Sequence, residues 1–250
     1  MRTAIPTTSA PHERSSAKVP HIAYVEVTRH SPPRPMAHRA VYAMKTTIDY
    51  TLAPIILVLS LPFLLLAMAL VKITSFGPAI YRQQRVGLCG REFTIFKIRT
   101  MFHECEKDSG IQWSSGKSDI RITPIGRILR ALHIDELPQL INVLKGEMSL
   151  VGPRPERPEI VDDLRVSVYF YDRRHEVKPG LTGFAQVHLP PDANILTVKN
   201  KLIYDRYYIG RVSFWLDMKI LCCTALKVVG LKLLYCRPPK RCATPAKSEE

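Results

Sequence analysis

The sequence lacks the patterns that mark the common nucleic-acid-binding modules. None of its six cysteines forms a pair with the spacing of zinc ligands. No helix-turn-helix or stacking-aromatic pattern is evident, and no internal repeat is present. No apolar stretch lies near the start, so no secretory signal peptide is expected. The 250 residues leave room for one catalytic domain with some appendages.

Negative charge is also scarce. The formal net charge is +14, and 46% of the residues are hydrophobic, which is enough for a core. Such a basic balance indicates an anionic partner, which can be nucleic acid, an anionic membrane surface or a phosphorylated substrate. Composition alone does not separate these three.

Composition divides the chain into four predicted regions. Residues 1–40 are rich in Pro, Ser, Thr, His and Arg, which predicts a disordered basic extension. Residues 41–72 contain a long apolar segment and are predicted to form a membrane helix. Residues 73–235 are predicted to form the catalytic domain, and residues 236–250 a frayed basic tail.

The apolar segment from Tyr50 to Val71 contains no charged residue. At about 1.5 Å per residue it is long enough to cross a hydrocarbon core of about 30 Å, so a transmembrane helix is one prediction. Pro62 near its middle favours a kink, and basic residues flank both ends, which places both ends in the cytosol. A bent, re-entrant helix that enters and leaves by the same leaflet satisfies both observations and is the alternative.

The rest of the chain predicts an α+β fold, mostly helical with a small β-sheet and interfacial amphipathic helices. Two short strands flank a turn at residues 87–90, and Lys97 and Arg99 share one face of the second strand, which is also typical of a solvated edge. A helix opens at Thr123-Pro124 and carries Arg127 and Arg130 as surface neighbours. The apolar residues 215–234 predict either a core helix or one in the membrane interface.

The segment Asp135-Glu136-Leu137-Pro138 opens a further predicted helix, with Asp135 at the capping position. Capping amides and the helix dipole are expected to keep this carboxylate ionised. Gly152-Pro153-Arg154-Pro155 predicts a stiff turn that presents an arginine. A carboxylate near several cations suits covalent phosphoryl chemistry, with aspartate as the nucleophile, and Glu136 could share a divalent cation. The cations concerned are Lys97, Arg99, Arg127, Arg130 and Arg154.

The run RITPIGRILRALHIDELPQLINVLKGEMSLVGPRP resembles the core of the bacterial sugar transferase family, the monotopic polyprenyl-phosphate phosphoglycosyl transferases. KTTIDY, GPAIYRQQRVG, FTIFKIRTM, KPGLTGFAQV and YDRYYIGRVSFWLDMKILCCTALKV are similar to further parts of the same family. The likeness covers roughly residues 43–229.

The resemblance implies a specific reaction. Asp135 would attack the diphosphate of a nucleotide-sugar, with Glu136 as its partner and Mg²⁺ at both carboxylates, while Arg130 and Arg154 match phosphate-binding positions. Sugar phosphate would then pass to polyprenyl (undecaprenyl) phosphate, the first membrane step of exopolysaccharide or glycoconjugate biosynthesis. Pro62 matches the break of a re-entrant helix, although the family's Ser-Pro pair reads Leu61-Pro62 here. The implied location is the cytosolic face of the bacterial inner membrane.

One departure from the family concerns the donor. Many relatives carry an Asn/Ser-Gly-Arg motif implicated in nucleotide-sugar binding, where this chain reads Val187 to Asp192 without an arginine. Lys199, Lys201 or Arg206 could replace it, so the sugar and the nucleotide stay open, as does the oligomeric state, including a homodimer. A non-enzymatic membrane-tethered protein that binds nucleic acid or anionic lipid is the competing hypothesis. The acidic pair among the cations disfavours it, and no nucleic-acid partner is predicted.

Overall fold

The computed structural model describes residues 36–105, 119–190, 195–228 and 230. Most of the predicted extension 1–40 and the whole predicted tail 236–250 lie outside these residues. Within them the chain is mostly helical with small sheets, which confirms that part of the predicted α+β class. The helices are α1 Met36–Thr74, α2 Pro124–Ala131, α3 Leu140–Leu144, α4 Pro158–Ser167, α5 Phe184–His188, α6 Ile195–Ile209 and α7 Phe214–Val228.

Helix α1 contains the apolar segment and continues through Pro54 and Pro62. Its part from Ala40 to Thr74 is long and apolar enough to cross a membrane, by length and composition only. Small and apolar residues of one face, including Ala53 and Ala67, are buried against the rest of the protein. Many of the other apolar side chains are exposed, among them Ile55, Val58, Leu59, Phe63 and Leu66. Whether the helix spans or re-enters stays a prediction.

The described residues form two small sheets of two strands each. β1 (Ile80–Val86) and β2 (Glu92–Ile98) form the expected antiparallel hairpin around the turn at residues 87–90. β3 (Ser149–Val151) pairs in parallel with β4 (Gly180–Thr182), and the sequence analysis did not predict this pair. A Cβ atom on Gly180 would lie 2.0 Å from the backbone nitrogen of Gly152, so this close approach requires glycine.

The predicted capping of α2 is confirmed, because the Thr123 hydroxyl accepts a hydrogen bond of 3.0 Å from the Gly126 N–H. The next predicted helix is divided in two. A 3-10 helix runs from Ile134 to Gln139, and α3 follows directly from Leu140. The acidic pair therefore lies in tighter backbone than a regular α-helix provides.

A buried polar network fixes α1 to the strand that leads into the Gly152–Arg154 turn. Lys45 of α1 lies 2.6 Å from the Asp217 carboxylate of α7, and the Tyr208 hydroxyl donates to the same carboxylate at 2.8 Å. One turn along α1, the Asp49 carboxylate accepts a hydrogen bond of 2.9 Å from the Leu150 N–H. The apolar helix and β3 are thus held in one arrangement.

Candidate active site

Asp135 is the second residue of the 3-10 helix that joins α2 to α3. His133 precedes this helix in the left-handed conformation, with φ of 56°. The prediction that Asp135 caps a helix is wrong, because its side chain accepts no backbone hydrogen bond among the described residues. The carboxylate is instead buried, with 7% of the residue exposed, and it lines a cavity.

Glu136 points to two of the predicted cations. Arg154 donates to both of its carboxylate oxygens, with Nη2 to Oε1 at 2.5 Å and Nη1 to Oε2 at 3.3 Å. Lys97 Nζ donates to Oε1 at 3.2 Å. This forked contact brings the end of β2, the 3-10 helix and the Gly152–Arg154 turn together at one point.

Arg130 supplies a third cation. Its Nε donates to the Thr100 hydroxyl at 2.8 Å, which orients the guanidinium. Within the described ranges no hydrogen bond occupies its terminal nitrogens, and the charges of Asp135 and Glu136 both act on this group. Arg130 can therefore bind an incoming anion without first breaking an ion pair.

The two neighbouring carboxyl groups have opposite electrostatic environments. Burial raises the pKa of Asp135, and the charge of Glu136 raises it further, against weaker opposing effects of Lys97, Arg130 and Arg154. Burial also tends to raise the pKa of Glu136, but Arg154 and Lys97 together outweigh it and hold that pKa well below its ordinary range. Glu136 is therefore the carboxyl group of the pair that stays ionised. The expectation that backbone amides keep Asp135 ionised is wrong, because burial and neighbouring charges act on its pKa and no capping hydrogen bond is made in the described part of the chain.

Two predicted cations do not reach the acidic pair. β2 ends at Ile98, and the Arg99 side chain turns away to donate to the carbonyl oxygens of Phe76 and Ser75, 2.6 and 2.9 Å away, just beyond the end of α1. Arg127 is exposed on α2 and is not among the residues that line the cavity. The structure gives neither side chain a contact with Asp135 or Glu136, so their phosphate-binding roles stay predictions.

The acidic pair opens into a cavity of about 1480 Å³. Its lining contains many more Lys and Arg side chains than Asp and Glu side chains, so it favours an anionic ligand. Apolar side chains of α1, α5 and α7 complete the wall, including Ile56, Ala185 and Leu221. One cavity therefore offers surface to both charged and apolar groups.

The three cations considered as replacements for the missing arginine lie in different surroundings. Lys201 lines the cavity, where its Nζ contacts Glu156 Oε1 at 2.8 Å. Lys199 is exposed, and the Arg206 guanidinium lies over the Phe170 ring, 5.7 Å from its centre. Of the three candidates, only Lys201 lines the cavity that contains the acidic pair.

Sequence reasoning missed several residues around the site. Thr100 orients Arg130, and a group of ion-paired side chains, Arg85, Glu156 and Arg174, lies beside the Arg154 turn. The one available signal was that Glu156 directly follows the Gly-Pro-Arg-Pro turn. The partners of Glu156 come from distant positions, and no local pattern indicates them.

Comparison with known proteins identifies the class to which this fold and site belong. The family model described as bacterial sugar transferase matches residues 40–231. The chain therefore belongs to the bacterial sugar transferase family, which confirms the resemblance seen in the sequence.

Several curated relatives are about equally similar. A UDP-glucose:undecaprenyl-phosphate glucose-1-phosphate transferase of Xanthomonas campestris pv. campestris is 43% identical over 189 residues, 75% of this chain and 39% of that protein. A UDP-N-acetylgalactosamine-undecaprenyl-phosphate N-acetylgalactosaminephosphotransferase of Aeromonas hydrophila is 42% identical over 181 residues, 72% of this chain and 42% of that protein. The chain thus spans about two fifths of the length of these two relatives. The uncharacterized sugar transferase EpsL of Bacillus subtilis is 40% identical over 186 residues, 74% of this chain and 87% of that protein.

Proposed function

We propose that this protein transfers a sugar 1-phosphate from a nucleotide-diphosphate-sugar to a polyprenyl phosphate, through a covalent intermediate on Asp135. The observation that carries the proposal is the state of Asp135. It is a buried carboxylate that receives no hydrogen bond from the described residues, and it lies among Lys97, Arg130 and Arg154 in a cationic cavity. Both carboxylate oxygens of Glu136 accept hydrogen bonds from Arg154 and Lys97, so Asp135 is the better placed of the two carboxylates to attack phosphorus.

The proposed reaction has two displacements. A carboxylate oxygen of Asp135 attacks the sugar-bearing phosphorus, the bond from that phosphorus to the bridging oxygen breaks, and nucleoside monophosphate leaves with the electron pair. The sugar phosphate remains on Asp135 as an acyl phosphate. A phosphate oxygen of the polyprenyl phosphate then attacks the same phosphorus, and the carboxylate of Asp135 leaves. The donor and the lipid acceptor therefore need not be bound together.

The cations have separate roles in this proposal. Arg130 has its terminal nitrogens available and binds the donor diphosphate first. Arg154 and Lys97 are held in place by Glu136 and share their positive charge between that carboxylate and the incoming phosphate. The donor thus meets a preformed set of charges and needs little rearrangement.

Magnesium is part of the proposal, and the acidic pair supplies only some of the ligands that it needs. The described residues contain no group of three or more His, Cys, Asp or Glu that could hold a metal. Mg²⁺ commonly binds one or two carboxylates together with substrate phosphates and water. Both oxygens of Glu136 already accept hydrogen bonds from Arg154 and Lys97, so Asp135 is the carboxylate of the pair that would hold the metal. When bound, Mg²⁺ would neutralise charge on the diphosphate.

We also propose that α1 enters the cytosolic leaflet of the bacterial inner membrane and leaves it on the same side, with Pro62 at the bend. Exposed apolar residues of α1 support membrane contact, and so does α7. Asp217, Ile220 and Cys223 of α7 are buried, while Trp215 and Cys222 on its other face are exposed. A helix with one face in the core and an apolar outer face suits the membrane interface.

Labelling of single cysteines tests this topology. In a variant without native cysteines, Ala40→Cys and Phe76→Cys mark the two ends of the apolar helix, and Phe76 is 91% exposed. Both positions are expected to react with a membrane-impermeant maleimide only after the cells are opened. Reaction of one position, but not the other, in intact spheroplasts would establish a spanning helix.

The pH dependence of kcat/KM follows from Asp135 and Lys97. Burial lowers the pKa of Lys97 to about 8, even though the charge of Glu136 opposes it. Lys97 is therefore charged below pH about 8 and loses its charge above it, so kcat/KM is expected to fall there. At acid pH, kcat/KM is expected to fall as Asp135 takes up a proton, at a pH above the ordinary aspartate pKa. Lys97→Arg should abolish the alkaline fall, and an unchanged alkaline fall in that variant would remove Lys97 from this role.

The activity itself is tested by release of nucleoside monophosphate. The relatives' names give UDP-sugars, so UDP-glucose and UDP-N-acetylgalactosamine are the first donors to offer, with Mg²⁺ and undecaprenyl phosphate in membranes. Release of UMP and formation of a lipid-linked diphospho-sugar are expected with at least one nucleotide-sugar. If a complete panel of nucleotide-sugars produced neither product, the proposed function would be wrong.

A further inference from the structure

Arg154 lies in irregular backbone between β3 and α4, unlike Lys97 in a strand and Arg130 in a helix. Backbone hydrogen bonds hold this segment on both sides of Arg154, because the Gly180 N–H donates to the Pro153 carbonyl oxygen and the Val86 N–H to that of Glu156, both at 2.9 Å. The carbonyl oxygens of Arg154 and Pro155 lie between these two bonds and accept no backbone hydrogen bond from the described residues. The direction of the Arg154 guanidinium therefore also depends on what binds these two carbonyl groups. Backbone carbonyl groups that are buried outside regular structure need partners, and the identity of those partners shows what positions Arg154.

Two arginine side chains, the half-buried Arg85 and the buried Arg174, bind carbonyl oxygens of this segment. Arg174 Nη2 donates to the carbonyl oxygen of Arg154 itself at 2.8 Å. Arg85 Nη1 donates to the next carbonyl oxygen, that of Pro155, at 3.1 Å. Two consecutive carbonyl groups beside the Arg154 side chain are thus held by guanidinium groups from β1 and from the segment after α4.

The two guanidinium groups are themselves fixed by carboxylates and a phenol. Glu156 Oε2 lies 3.5 Å from Arg85 Nη1, and Glu156 Oε1 lies 3.8 Å from Arg174 Nη1. Arg174 also contacts Asp205 at 3.1 Å and donates to the Tyr171 hydroxyl at 2.6 Å. Only 3% of the Arg174 and Asp205 side chains is exposed, so water competes little with these contacts.

This arrangement is more than stability alone requires. Removing so many charges from water is costly, and well-packed apolar side chains often stabilise a core equally well. Although burial tends to raise it, the pKa of Glu156 is held at about 2 by Lys201, Arg174 and Arg85, so the group stays charged at neutral pH. Arg85, Glu156, Arg174 and Lys201 also line the same cavity as Asp135. A fixed arrangement of charges beside a catalytic turn suits precise positioning.

We propose that Arg174 is a positioning residue that acts through Arg154. By holding the Arg154 carbonyl oxygen, with Arg85 on the next carbonyl, it aims the Arg154 guanidinium at Glu136 and at the diphosphate that binds beside it. This proposal rests on the proposed function in one respect only, namely that the cavity binds a nucleotide diphosphate. It does not depend on the covalent step.

A double-mutant cycle tests the proposal by binding rather than by turnover. The dissociation constant of uridine diphosphate is measured by calorimetry on the full chain in lipid nanodiscs, with Arg174→Lys, Arg154→Ala and the double variant. Arg174→Lys keeps the charge but not the guanidinium fork, and it is expected to weaken binding about tenfold. In the Arg154→Ala background the same change should have almost no further effect, because the side chain that Arg174 positions is gone.

Arg173→Lys is the matched control. Arg173 is the preceding residue, its exposed side chain stacks on the Phe170 ring, and it is not among the cavity-lining residues. Its substitution should leave the dissociation constant unchanged in both backgrounds. If Arg174→Lys does not fold, Tyr171→Phe removes only one hydrogen-bond partner of Arg174 and should show a smaller loss with the same dependence on Arg154.

The outcomes separate this proposal from the proposed function. Equal losses from the Arg174 change with and without Arg154, or no loss at all, would overturn the positioning role even if UMP is released from a UDP-sugar. A coupled loss of uridine diphosphate binding, without release of monophosphate from any nucleotide-sugar, would support the positioning role and overturn the transferase. A wild-type protein that does not bind uridine diphosphate would overturn the positioning role.

Discussion

Asp135→Asn should abolish turnover while leaving the fold intact. We expect kcat to fall by at least about a thousandfold, because an amide cannot attack phosphorus and a covalent route has no second nucleophile. The unfolding midpoint should change little. Asp135 makes no capping hydrogen bond among the described residues, and the substitution removes a buried charge from beside Glu136. Steady-state release of monophosphate and thermal unfolding measure the two effects.

Asp163→Asn is the matched control for this substitution. Asp163 lies exposed on α4, where its backbone carbonyl oxygen accepts a hydrogen bond from the Ser167 hydroxyl, and the change preserves that carbonyl group. Its turnover should equal that of the wild type. Normal turnover in Asp135→Asn would show that another group attacks the donor.

Glu136→Gln is expected to have the second-largest effect on activity and also to lower the stability of the fold. The neutral amide leaves Lys97 and Arg154 without their shared counter-charge, so Arg154 loses its forked partner and kcat/KM should fall by about a hundredfold. Breaking a buried ion pair typically costs about 3–5 kcal/mol. These side chains are partly exposed, so roughly 1–3 kcal/mol is expected here.

The same substitution should change two pH dependences. The pKa of Glu136 is lowered in the folded protein, so its ion pairs stabilise the fold above the ordinary glutamate pKa of about 4.3 and are lost as the pH falls below it. Glu136→Gln should remove that acid-dependent part of the stability. It should also shift the acid limb of kcat/KM to lower pH, because Glu136 raises the pKa of Asp135. Glu92→Gln, an exposed change on β2, is the control that should do neither. If kcat/KM and the acid limb stayed at wild-type values in Glu136→Gln, this carboxylate would have no role at the site.

The sequence predicted the acidic pair and three of its cations because their signals are local. Thr123-Pro124 begins α2, and the Gly-Pro-Arg-Pro turn presents Arg154 as expected. Lys97 lies near the end of β2, which the alternation of apolar and polar residues predicts as a strand. Each of these features follows from backbone rules that act over a few residues.

Arg99 and Arg127, which do not contact the acidic pair, show the limits of such rules. Strand alternation would place Lys97 and Arg99 on the same face if the strand continued through both residues. β2 ends at Ile98, so the rule does not extend to Arg99. The three-residue spacing of Arg127 and Arg130 makes them neighbours on α2 but does not tell which one faces the cavity. Packing against α1 and the 3-10 helix makes that choice, and packing is a tertiary property.

Three other features were beyond sequence reasoning for the same reason. Strands β3 and β4 have three residues each, which is too short for any period, and their parallel pairing joins distant segments. Asp135 was placed at a cap because acidic residues favour that position, but the chain forms a 3-10 helix whose cap is His133, two residues earlier. The contact between Arg174 and the Arg154 carbonyl joins residues that are twenty positions apart.

Incubation of the wild-type protein with donor alone tests the covalent mechanism most directly. With a reactive UDP-sugar, Mg²⁺ and no polyprenyl phosphate, one equivalent of UMP per protein should appear, and mass spectrometry should find sugar phosphate on the peptide that contains Asp135. Later addition of polyprenyl phosphate should remove the adduct and form the lipid product. If no monophosphate appeared until the acceptor was present, both substrates would have to bind together, and the covalent role of Asp135 would be contradicted.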